Sequence, residues 1–132
     1  MTKFVEEMAR IGKKQLASGY DSLSAVERII YCVDTLNYAL LSAGWEQYFD
    51  DEAGNVAADA VAALQTIGAT ETAALLAAAC SRFPGGHPPV DRGLRLAQLR
   101  AMKGDVFSDL DYSEEGGSLM ELLEAFWQAH ST

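Results

Sequence analysis

The spacing of apolar side chains along this chain predicts helices. From Lys3 to Ala17, Phe4, Met8, Ile11 and Leu16 fall near a 3.6-residue repeat, and Gly19 can close the helix they define. Ser24 and Glu27 then have the Ser-x-x-Glu spacing of a capping box. Behind it, Val26, Ile29, Ile30, Val33, Leu36, Leu40 and Leu41 form one continuous stripe that should end near Gly44. Trp45 to Phe49 is a short aromatic-rich turn or helix, and residues 50–54 read as a loop. Asn55 can cap a following Ala-rich helix that runs to Ile67, with Gly68 as its C-terminal cap. Thr70 is placed to cap another helix, running to about Phe83, which the run Pro84-Gly85-Gly86-His87-Pro88-Pro89 must break. Asp91 is placed to cap a helix to Lys103, closed by Gly104. One short helix is expected between Asp105 and Gly117. Ser118 and Glu121 make a second capping box ahead of Leu119, Leu122, Leu123 and Phe126.

No alternating strand pattern, internal repeat or long linker interrupts this series. The expected fold class is all-α, a compact single-domain bundle of about six or seven helices over residues 1–132. Residues 1–23 form an N-terminal helix and linker, and residues 24–132 the main body. A chain of 132 residues with 49% hydrophobic content can bury one core without metal or disulfide staples. Cys32 and Cys80 lie in apolar helical surroundings and read as small buried thiols. The N-terminus carries charges where a signal peptide would be apolar, and no apolar run reaches the roughly 18 residues of a membrane span. The cytoplasm is the expected location.

Charge changes the picture more than composition does. Residues 29–81 hold seven acidic residues and no Lys or Arg, and residues 104–132 again hold seven acidic and no basic. Residues 82–103 hold five basic residues and one acidic, and the net charge of the whole is −9. Such a balance argues against nucleic acid or an anionic membrane as a direct partner. It fits a basic partner, and it also fits solubility alone. Asp105, Asp109, Asp111, Glu114 and Glu115 crowd together, and Asp50, Asp51, Glu52 and Asp59 form a second group. Like charges this close repel, so either group needs compensation or solvent.

Chemistry that would make the chain an enzyme is missing from the sequence. His87 sits in a turn and His130 near the end, and both read as surface residues. There is no nucleophile elbow, phosphate loop or dinucleotide fingerprint. Asp109-Leu110-Asp111-Tyr112-Ser113 begins like a calcium loop, but the sixth and twelfth places hold Glu114 and Met120 instead of Gly and Glu. Neither metal nor cofactor is expected, and the expected activity is binding. The aromatic residues Trp45, Tyr48, Phe49, Phe126 and Trp127 read first as core, with a binding or dimer surface as the alternative.

The run Gly44-Trp45-Glu46-Gln47-Tyr48-Phe49 through Gly54 resembles the Gly-Gly-Phe-x-Gln-Tyr-Phe segment of the bacterial DNA-mimic protein family, a domain still largely without assigned function. The likeness continues through Ala60 to Ala69, Phe83-Pro84-Gly85-Gly86, Pro88-Pro89-Val90-Asp91-Arg92, Leu110-Asp111 and Leu122 to His130. It covers the chain from about Ser24. The chain departs from the family at Ser42-Ala43, where Asn-Gly is usual, and at Ala39, where an acidic residue is usual. The resemblance implies a helical, often dimeric protein whose carboxylates stand in for DNA phosphates on a basic nucleic-acid-binding protein such as a transcriptional repressor. Gly44, Trp45, Gln47, Tyr48, Phe49, Pro84 and Arg92 are then motif residues with a structural or pocket role. Other classes that fit a small acidic chain are an immunity-type inhibitor of a toxin or nuclease, an enzyme with a pocket around Gln47, and an assembly domain whose acidity serves solubility.

Overall fold

The computed structural model describes residues 3–112 and 118–130. Helix α1 spans Lys3–Ser18, α2 Ala25–Ser42, α3 Trp45–Asp50, α4 Ala57–Thr66, α5 Thr70–Ser81, α6 Arg92–Ala101 and α7 Ser118–His130. Short 3-10 turns at Tyr20–Ser22, Glu52–Val56 and Pro84–Gly86 join them. The protein is all-α, a single compact body in which α2 is the axis: it packs against α1, α3, α4 and α7. Val33 and Leu36 on α2, Leu64 on α4, Leu76 on α5 and Leu123 on α7 are fully buried. Ala57, Ala60 and Ala63 are also buried, and their small side chains let α4 lie close to α2 and α5, the two most extensive helix contacts. Among the described residues, no helix is long and apolar enough to cross a membrane.

Several helix ends follow the sequence. Ser24 Oγ accepts from the Glu27 N–H at 3.1 Å, and Glu27 accepts from the Ser24 N–H at 2.8 Å, which completes the capping box. Gly44 closes α2 at φ +106°, its N–H bonded to Ala39 O, a conformation that glycine adopts without strain. Asp91 caps α6 through Leu94 N.

Other ends differ. Asn55 does not cap α4: it lies inside the 3-10 turn, and Val56 occupies the cap position without a side-chain bond. Thr70 is the first residue of α5, not its cap. Helix α6 stops at Ala101, and residues 106–109 form a turn, so no helix appears in the described part of 105–117. The Ser118 side chain lies outside the described residues. Two apolar positions point the other way from expectation. Leu16 is 80% exposed and Gln15 takes the inward place a full turn after Ile11. Leu41 is half exposed at the end of the α2 stripe. Cys32 and Cys80 are free, buried thiols, each pushed up to about 11 by burial.

Candidate protein-binding surface

The aromatic run of α3 is core. Tyr48 and Phe49 are buried, and Phe49 meets Phe83 edge-on at 4.9 Å and stacks on Phe107 at 5.6 Å. Trp45 is buried too, and its indole N–H donates to Leu110 O at 2.8 Å. These contacts tie the 105–112 segment to α3. Gln47 is exposed, donates to Asp51 Oδ1 at 2.8 Å and borders an open hollow with Glu46, Asp50, Leu96, Leu99 and Arg100. Pro84 is exposed at the start of its 3-10 turn, where its fixed φ ends the chain's run out of α5.

What holds this region is a residue the sequence reading passed over. Arg95 on α6 is fully buried. Its guanidinium donates to the carbonyls of Phe49 at 2.6 Å, Asp51 at 2.9 Å, Pro89 at 3.0 Å and Val90 at 3.1 Å. A planar cation with five donors is suited to gathering diverging carbonyls from two loops. Burial lowers its pKa from the ordinary value. Gly54 completes the clasp, because a Cβ there would lie 2.9 Å from Tyr48 O and 3.1 Å from Arg95 Nε. The α3 run and the Pro88-to-Arg92 run, far apart in sequence, are therefore joined through the buried Arg95, with Arg92 bonded to Asp50 at the surface. The signal was present: Arg95 and Leu99, four residues apart, share one face of α6, so Arg95 stands on the inward stripe.

The predicted carboxylates fall into two conditions. Asp50 pairs with Arg92 at 2.9 Å, and Arg92 also donates to Asp50 O. Asp109 receives both Nη atoms of Arg82 at 2.9 Å, which hold its carboxyl below the usual range. These two are neutralised by the chain itself. Asp51, Glu52, Asp59, Asp105 and Asp111 are exposed and form no ion pair among the described residues. Asp51 accepts from Gln47, Glu52 from Gln15 at 2.8 Å and Asp59 from the Tyr20 hydroxyl at 2.8 Å, all neutral donors that leave the charge in place. Glu114 and Glu115 lie outside the described residues.

The structure does not bring the first group together as one patch. Asp51 and Glu52 border a groove with α1 and α2, whereas Asp59 lines a hollow with Tyr20, Arg28 and Cys32. Nor does the positive segment 82–103 make a basic face. Arg95 is buried, and Arg82 and the exposed Arg92 are each paired with a carboxylate, so that Arg100 and Lys103 are the exposed cations of this segment outside those pairs. One carboxylate unmarked by the sequence reading, Asp34 on α2, sits half-buried in the groove with its pKa raised by burial.

A family model described as DMP19-like protein matches residues 21–130. No curated protein and no solved structure matches the chain.

Proposed function

The chain belongs to the DMP19-like protein family, and from that premise we propose that it is an acidic regulator that binds the basic, DNA-contacting surface of another protein. Its carboxylates would stand where DNA phosphates stand. The observation that carries this reading is the surface charge left after internal pairing. Among the described residues, Asp51, Glu52, Asp59, Asp105 and Asp111 remain exposed without an ion pair, while Arg82 and Arg92 are paired with Asp109 and Asp50 and Arg95 is buried. A DNA-binding face is a set of Lys and Arg placed for regularly spaced phosphates, and fixed carboxylates on a rigid helical body can engage the same cations. The activity in this reading is binding, with no catalysis, metal or cofactor.

The test is capture on the immobilised protein from lysate of its own source, eluted first by salt and then by duplex DNA. The reading expects a DNA-binding protein released by both. Reversing Asp59, Asp105 and Asp111 to Lys should weaken that complex by at least about tenfold with an unchanged circular dichroism spectrum. Undiminished affinity in the reversed protein overturns the reading. So does recovery of a toxin domain that DNA fails to displace, which would make the chain an immunity-type inhibitor.

A further inference from the structure

Helix α1 carries two apolar stripes. Phe4, Met8, Ile11 and Gln15 face the core, and Ala9, Gly12 and Leu16, one position later, face outward. Beside them α2 exposes Tyr38, at 74%, and Leu41 one turn further on. Between the two helices runs a groove of about 490 Å³. Its walls include Leu16 and Tyr38, its floor includes Gly12, and Asp34, Asp51 and Glu52 line it without any Lys or Arg. Large exposed apolar side chains gathered beside carboxylates are not explained by solubility, which favours charge spread over an otherwise polar surface.

We propose that this groove receives an amphipathic, basic α-helix of the partner protein, with apolar side chains seated between Leu16 and Tyr38 and Lys or Arg side chains reaching Asp34, Asp51 and Glu52. The inference rests on the reading of the chain as a binder of basic protein, and it specifies the shape of the segment bound. Charge selects the occupant. A second copy placed face to face would set the same carboxylates against one another, whereas a basic helix pairs with all three. Asp34 has no side-chain hydrogen-bond or ion-pair partner among the described residues, and burial already raises its pKa, so an incoming cation relieves a cost present in the free protein. Geometry selects a helix. Tyr31, Asp34, Tyr38 and Leu41 mark successive turns of α2 over about 15 Å, a length that a partner helix of about three turns matches. A floor made by glycine lets its backbone come close.

Gly12 also supplies the test. A Cβ there would meet nothing within 4 Å, and the residue has no positive φ, so a large side chain fills the groove without displacing the core. The probe is a synthetic Lys/Leu peptide of about 18 residues with its leucines on one helical face, compared with a peptide of equal composition whose leucines are scattered. Fluorescence anisotropy should show the amphipathic peptide binding at least about tenfold tighter. Gly12→Trp should lose at least about tenfold, and Gly12→Ala should bind like the native chain. Thermal unfolding of both variants checks that they fold. Equal binding of the two peptides, insensitive to Gly12→Trp, overturns the groove proposal and leaves the acidic-surface reading standing, since that reading is tested at Asp59, Asp105 and Asp111. Absence of binding by either peptide overturns it as well. A native dimer that Gly12→Trp converts to a monomer in sedimentation assigns the groove to a second copy and overturns it too.

Discussion

Arg95 and Asp34 are two charged residues on helices, handled in opposite ways. Arg95 is completely enclosed, and its donors meet four carbonyls from two loops. Asp34 is half-buried, its pKa is raised by burial, and none of the described residues pairs with it. A buried cation with four hydrogen bonds to backbone carbonyls fixes a single arrangement, and removing it strands its acceptors. A carboxylate at a groove with no partner contributes nothing to the fold and is placed to contribute to a complex. The region around α3 and α6 is therefore built for rigidity, and the outer side of α1 and α2 is built to be met from outside.

The sharpest way to break this contrast is at Arg95. Arg95→Ala should destabilise the protein by about 3–5 kcal/mol, because it strands one buried and three partly buried carbonyls and opens a cavity in place of a fully buried side chain. Urea unfolding measures this, and a loss under about 1 kcal/mol would mean that the clasp is not what joins α3 to the Pro88-to-Arg92 run. Next in size is Gly54→Ala. The added methyl would press on Tyr48 O and the Arg95 guanidinium, at an expected cost of about 1–3 kcal/mol in the same assay.

Glu27 sharpens the other side of the comparison, since it pins α1 to α2 beneath the groove. It accepts from Lys14 at 2.9 Å, Arg10 at 2.7 Å and the Ser24 N–H. The Lys14 bond first, and then the Ser24 amide, hold its pKa near 2 against an ordinary 4.5. A carboxylate depressed in the folded state stabilises fully above its ordinary value and loses that contribution as pH falls through the folded one. Arg10 and Lys14 are half exposed, so solvent reduces the effect. Glu27→Gln should therefore cost about 1–2 kcal/mol near neutral pH. The difference from the native chain should close between about pH 4.5 and pH 2. A pH-independent difference in urea midpoint would show that capping geometry, not charge, accounts for Glu27.

Much of this was set locally. Periodicity and caps place most helices, because a helix is decided by neighbours three or four residues away. Ser24 with Glu27, Asp91, Gly44 and Gly68 could be read as punctuation for that reason. Asn55 and Thr70 could not, because the 3-10 turn Glu52–Val56 and the tight link from α4 to α5 shift each helix start by one residue. The aromatic motif was legible too, since Trp45, Tyr48 and Phe49 read first as core and are core. The acidity was equally visible, but its distribution was not: Asp50 and Asp109 are answered by Arg92 and Arg82 from distant segments.

The sequence by itself determined an all-helical acidic chain with its apolar stripes, its caps and its excess of carboxylates. The tertiary structure alone decided which stripe of α1 faces inward, which carboxylates keep their charge at the surface, and that Arg95 is the point where two distant loops meet. The physical reason is range. Helix formation depends on contacts within one or two turns, whereas exposure and ion pairing depend on which distant side chains the packing brings within a few ångströms.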